Sequence, residues 1–212
     1  MKFKSLIYKD KFMVKNADYA FNINDLQLPR FDICRVICYN TPMIKKAKSS
    51  ENTKKMRNVI IFDLDQTVID SSHRSPNNSD GTINLEKYFK SRNRTNIFRD
   101  KLLPLAKVFK QLQTDNNFII VATARNIDHD DVDFLKSKGL NPDMILSRKW
   151  IIESTVPDAD LKARKLNSLF NLKQFKNVPK FMFDDAPKVI SKMRKLGIVT
   201  LNAVKVNEKL AT

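Results

Sequence analysis

From residue 58 onward, short runs of bulky apolar residues alternate with longer stretches whose apolar positions recur every three or four residues. The runs fall at 58–63, 117–123, 143–147, 179–184 and 198–202. Uniformly apolar runs of this length, bounded by charge, predict strands buried on both faces. The stretches at 97–114, 129–138, 159–171 and 186–195 predict helices, and a short helix is expected at Leu85 to Lys90. Strand and helix in strict alternation predict an α/β fold with a doubly wound, mostly parallel sheet and right-handed crossovers.

The first run, Val59-Ile60-Ile61-Phe62, ends in Asp63-Leu64-Asp65-Gln66-Thr67. Two carboxylates one residue apart point to the same side of a strand. Open α/β sheets bind ligands beyond the carboxyl ends of their strands. Carboxylates converging there are costly unless a cation or a reaction needs them. The second run, Phe118 to Ala122, ends in Thr123-Ala124-Arg125, and the fourth, Lys180 to Phe183, ends in Asp184-Asp185. Between them Asp158-Ala159-Asp160-Leu161-Lys162 opens a helix that Asp158 or Asp160 can cap. Acids suited to a hard, oxygen-liganded cation, with a hydroxyl, an arginine and a lysine suited to an anion, describe a phosphate-handling edge.

In this order the motifs resemble those of the haloacid dehalogenase-like phosphohydrolase superfamily, across roughly residues 57 to 203. These are an Asp-x-Asp-x-Thr at a strand end, a Thr at the next motif strand, a helix-borne Lys and a late acidic pair. A narrower likeness is to the 3′-phosphatase domain of phage polynucleotide kinase-phosphatases. It rests on Thr123-Ala124-Arg125, on Arg74 eleven residues beyond Asp63, on Asp158 four before Lys162, on Arg148 closing the strand after the second motif, and on the Gly197-Ile198 step. Three positions depart from that pattern: Gln66 and Ala124 stand where glycines are usual, and Ala186 where an arginine is.

The resemblance implies Asp63 as nucleophile, Asp65 as general acid and base, and Thr123 and Lys162 on the phosphoryl oxygens. It implies Mg²⁺ held through Asp63, Asp65 and Asp184 or Asp185, with Lys165 the second choice for the lysine. Arg74, Arg125 and Arg148 are then substrate-binding residues, and Asp158 supports the lysine. The implied activity is removal of a phosphate from nucleic-acid ends through an aspartyl-phosphate. A 5′-nucleotidase or small-metabolite phosphatase is the alternative, and an inactive nucleic-acid-binding scaffold is a third.

Composition adjusts this picture. A formal charge of +16 over 212 residues favours polyanionic partners, either a phosphorylated nucleic-acid end or a nucleotide. Residues 1–56 read as a basic extension and linker with short strands, and 57–212 as the phosphatase domain. The polar segment at about 71–96 leaves room for only a small cap. Three glycines rule out a Gly-rich ATP phosphate loop, so transfer is expected to end on water. Cys34 and Cys38 lack partners for a zinc set and fit a reduced interior. No apolar run is long enough for a membrane span, and cytoplasm is the default expectation. Arg92 and Arg94 read as solvated surface, His129 as part of a helix start, His73 as a minor substrate contact, and Trp150 as either a base-stacking or a loop-packing residue.

Overall fold

The structure is a computed structural model that describes residues 11–12, 21–22, 56, 58–74, 78, 84–114 and 116–212. The chain divides into two units, Met1–Lys48 and Ser49–Thr212. In the first, strands β1 (Lys11–Phe12) and β2 (Phe21–Asn22) pair antiparallel. Cys34, Cys38 and nearly all of the basic linker lie outside the described residues.

The second unit is built on a five-stranded parallel sheet. Its strands are β3 (Asn58–Phe62), β6 (Asn117–Ala122), β7 (Met144–Leu146), β8 (Lys180–Asp184) and β9 (Val199–Asn202), in the order β7-β6-β3-β8-β9. The chain moves outward from β3 to β6 and β7, then returns to β8 on the other flank. Strand β3 is therefore the topological switch point, where a crevice opens beyond the strand ends.

Alternation along β3 sorts the core. Val59 and Ile61 join Ile120, Met182, Leu166, Val189 and Met193 in one apolar cluster, all buried. The helices on that face are α6 (Asp158–Phe170) and α7 (Pro187–Lys195). Phe62, of opposite parity, stacks on Phe183 at 5.0 Å and meets Phe109 of α3 (Leu105–Leu112) at 4.7 Å. Each such buried side chain contributes about 1.5–3 kcal/mol relative to exposure. Asp63 continues the row of Val59 and Ile61 and so emerges toward the face that carries α6.

The helix expected over 97–114 is broken. Residues 94–97 form α2, and Lys101–Leu102 (β5) pairs antiparallel with Ile69–Asp70 (β4). Pro104 then starts α3 afresh, because proline cannot donate within a helix. The β4–β5 pair brackets a segment holding a 3₁₀ turn at Ser72–Arg74, α1 (Leu85–Ser91) and α2. Helix α4 (His129–Ser137) opens on a capping box between Asp128 and Asp131. A short α5 (Trp150–Glu153) precedes α6. A last helix, α8 (Ala203–Ala211), sends Asn207 into the core, where it accepts from Leu105 N at 2.8 Å and donates to the Thr67 carbonyl at 3.0 Å. Among the described residues no helix is long and apolar enough to cross a membrane.

Candidate active site

The loop after β3 turns back at once. Val68 N and Ile69 N both donate to the Leu64 carbonyl at 3.0 Å, and Gln66 N donates to Ile69 O at 2.8 Å. Gln66 adopts φ of +55° to make this turn, in the left-handed region that favours glycine. The tight turn holds Asp63 and Asp65 at the sheet edge.

Asp63 is 5% exposed. Lys162 reaches it from α6, with Nζ 2.6 Å from Asp63 Oδ1, 2.9 Å from Asp184 Oδ2 and 3.2 Å from Asp158 Oδ2. Asp158 does not cap α6: Pro157 holds the cap position, and Asp158 pairs with Lys162 one turn on. Asp184 also accepts from Ala186 N at 3.0 Å. Burial pushes the Asp63 carboxyl well above its ordinary value, more than Lys162 pulls it down. Burial likewise raises Asp184 and Asp185. The same burial would lower Lys162, but Asp63 and Asp184 outweigh it and hold the ammonium firmly protonated.

Asp65 occupies a second cluster. Its carboxylate accepts from Ser71 Oγ at 2.5 Å and from both Nε (3.1 Å) and Nη2 of Arg125. Burial would raise this acid, yet Arg125 and the Ser71 hydroxyl overcome that and hold it below the usual range. Arg125 also donates from Nη1 to Asp131 Oδ1 at 2.8 Å. Thr123 is buried beside it, and its Oγ1 accepts from Arg125 N at 3.0 Å.

The three expected substrate arginines fare differently. Arg125 touches Asp65, at the centre of the site. Arg74 is 1% exposed, and its fork closes on Asp100 at 2.8 and 2.7 Å; Nη1 is buried with no partner among the described residues. Arg148 is buried and braces the main chain. Its Nε donates to Ala124 O at 2.8 Å, and its Nη1 to Val156 O at 2.8 Å and to Glu153 O. Lys165 is spent on the Ser147 carbonyl at 2.8 Å and on Glu153 at 3.0 Å, so it does not stand in for Lys162. Arg94 is exposed, as the solvated reading expects, whereas Arg92 is part-buried. Arg92 pairs with Asp128 at 2.6 Å, and Arg94 with Asp130 and Asp133 at 2.8 Å each, fastening the β4–β5 segment to α4. His73 pairs with Asn96 O at 3.1 Å, and His129 is a largely exposed first residue of α4. The Trp150 side chain lies outside the described residues.

Sequence reasoning missed Asp100, Asp131 and Ser71, which position the arginines and Asp65. Their only signal is that each lies within the segments joining the motifs. It also missed Tyr88, whose hydroxyl is buried enough for its pKa to rise and which senses Arg125, Asp65, Arg74 and Arg92.

The acid-rich half of the site suits a hard divalent cation. Two buried carboxyls, Asp63 and Asp184, and the part-buried Asp185 share the ammonium of Lys162, and burial raises all three. Among the described residues no three acids, imidazoles or thiols converge on one point.

A family model for the bacteriophage T5 5′-deoxynucleotidase matches residues 45–212. The chain is similar to the 5′-deoxynucleotidase of Escherichia phage T5, with 28% identity over 184 residues that cover 78% of this chain and 75% of that protein. Among solved structures, a Clostridium difficile protein assigned as a phosphatase aligns with a TM-score of 0.51 at 18% identity, over 70% of this chain and 85% of its own. A haloacid dehalogenase-like family hydrolase from Streptococcus pneumoniae aligns with a TM-score of 0.48 at 15% identity, over 72% and 91%.

Proposed function

We propose that this chain, a member of the bacteriophage T5 5′-deoxynucleotidase family, is a haloacid dehalogenase-like phosphatase that hydrolyses deoxynucleoside 5′-monophosphates with Mg²⁺. The observation that carries the reading is the pairing of two charge clusters at one sheet edge. Asp63 with Lys162 and Asp184 forms one, and Asp65 with Arg125 and Ser71 the other.

In the proposed reaction an Asp63 oxygen attacks phosphorus, forming an O–P bond as the P–O bond to the nucleoside breaks. Asp65 gives its proton to the departing oxygen, then takes one from the water that attacks the aspartyl-phosphate. That second attack breaks the bond to Asp63 and releases phosphate. Thr123, whose hydroxyl oxygen is already accepting from Arg125 N, turns its hydrogen to a phosphoryl oxygen. Lys162 offsets the charge of Asp63 as the anionic substrate approaches. Mg²⁺, held by Asp63, the Asp65 carbonyl and Asp184 or Asp185, would supply further positive charge to the phosphoryl oxygens. Because Arg125 keeps Asp65 ionised in the free protein, loading the proton requires the incoming phosphate to compete for Arg125.

A second reading, removal of a 3′-phosphate from a nucleic-acid end, is supported by the +16 charge. Phosphate release from deoxynucleoside 5′-monophosphates, ribonucleoside 5′-monophosphates and a 3′-phosphorylated oligonucleotide, with Mg²⁺ or with EDTA, separates the two. Preference for the deoxynucleotides is the expected result. Preference for the oligonucleotide would replace this reading with the second, and equal rates with EDTA would remove the metal from it.

A further inference from the structure

Between β4 and β5 the chain brings one aromatic ring toward the Asp65 side of the site. Tyr88 lies in α1, three residues before Ser91 and therefore on the same helical face. Ser91 Oγ bonds the Arg74 carbonyl at 2.7 Å and the Tyr88 carbonyl at 2.8 Å, and Asn96 Nδ2 bonds the Ser91 carbonyl at 3.0 Å. This face of α1 is thereby fixed to the turn Ser72–Arg74, directly after the Ser71 that holds Asp65.

The Tyr88 ring is part-buried and meets Phe89 edge-on, with centroids 5.7 Å apart; Phe89 is 41% exposed. The Tyr88 hydroxyl makes no hydrogen bond to a described residue, although Arg125, Asp65, Arg74 and Arg92 all shape its electrostatic surroundings. The hydroxyl is not sealed from water, so its polar end is open to a group that arrives with the substrate.

Asp65 must meet the ester oxygen of the leaving alcohol. Whatever that oxygen carries is therefore on the Asp65 side of the phosphorus, where Tyr88 stands. We propose that Tyr88 is the specificity-determining contact of this enzyme, its ring lying against the nucleoside of the substrate. The inference rests on the nucleotidase reading and deepens it: the catalytic edge handles the phosphate, and Tyr88 recognises what the phosphate is attached to. Phe89 extends the same apolar wall outward.

The test compares kcat/KM for a deoxynucleoside 5′-monophosphate with that for glycerol phosphate, which offers the same phosphoryl group on a small alcohol. Wild type, Tyr88→Phe, Tyr88→Leu and Tyr88→Ala are measured, with far-UV circular dichroism to confirm folding. Loss of base–aromatic stacking corresponds to a fall of about 5- to 150-fold in the nucleotide-to-glycerol-phosphate ratio for Tyr88→Ala. The change is expected in KM rather than kcat, as befits a contact made equally in ground and transition states. Tyr88→Leu should fall between, and Tyr88→Phe should keep most of the preference. A Tyr88→Ala enzyme that loses both substrates by the same factor, or that keeps the wild-type ratio, overturns the inference and leaves the nucleotidase reading standing. A wild-type enzyme with no preference for nucleotides overturns that reading, and this inference with it.

Discussion

Lys162 pairs with three carboxyl groups, Asp63, Asp158 and Asp184, and replacing it tests whether charge or packing holds this edge together. Lys162→Met keeps the aliphatic length and removes the cation. The side chain is 3% exposed, and the nearest carboxylates are 7% (Asp63) and 0% (Asp184) exposed. Breaking a buried ion pair by removing one partner costs about 3–5 kcal/mol, because the remaining charge is left uncompensated. For a folded body of this size each kcal/mol moves Tm by about 2–4 °C, so a drop of roughly 6–20 °C is expected near pH 7.5. The pH dependence carries the sign. Burial already raises the folded-state pKa of Asp63 and Asp184, and losing Lys162 raises both further. A raised acid contributes stability below its unfolded pKa and loses it as pH climbs through the folded value. The variant's deficit should therefore shrink as pH is lowered from 8 toward 5, where the stranded carboxyls take up protons. Thermal melts at four pH values, with urea titrations at the two extremes, read this out. A deficit below about 1 kcal/mol at pH 7.5, or one that does not change with pH, would refute the argument that unpaired buried charge is the cost.

Asp63→Asn should lower turnover by at least about 10⁴-fold in a protein that still folds, the scale seen when a covalent nucleophile is removed; surviving activity would assign the attack elsewhere. Arg148→Ala should cost roughly 1.5–3 kcal/mol through its lost carbonyl partners and leave KM almost unchanged; a raised KM with unchanged stability would return Arg148 to the substrate. Gln66→Gly removes the strain of a left-handed glutamine and should raise Tm modestly, by about 1 kcal/mol of stability or less once the added freedom of the unfolded chain is counted. A lowered Tm would mean that the side chain, which reaches Asp70 at 3.4 Å, matters more than its backbone.

The central strands β3, β6 and β8 were plain in the sequence because they are largely buried on both faces and read as unbroken apolar runs. Their ends carried the chemistry, so Asp63, Asp65, Thr123, Arg125 and Asp184 could be placed on one edge before any coordinate was known. What eluded the sequence was depth. Arg74, Arg125 and Arg148 are the same residue type near the same edge, yet one is sealed against Asp100, one holds Asp65 and one braces a loop. That outcome depends on Asp100, Asp131 and the carbonyls of Glu153 and Val156, which come together only in the fold. The helix expected over 97–114 failed because its apolar spacing survives the break, while β4–β5 pairing and Pro104 decide the backbone. Helix α8 was not among the predicted helices; the Asn202 cap and the burial of Asn207 settle it as helix.

The antiparallel clasp of Ile69–Asp70 on Lys101–Leu102 makes residues 71–100 an excursion whose two roots are already side by side. With its roots joined, the excursion changes length at little entropic expense, since doubling a flexible loop adds only about 0.6 kcal/mol. Asp63 and Asp65 lie upstream of the clasp and Thr123, Lys162 and Asp184 downstream, so none of them is threaded through it. Provided Ser71, Arg74 and Asp100 at its ends are kept, the same scaffold can thus accept a longer or differently furnished excursion and change the alcohol it accepts while Asp65 keeps its hydroxyl partner. A graft between the two roots is the natural unit in which a new selectivity would be introduced.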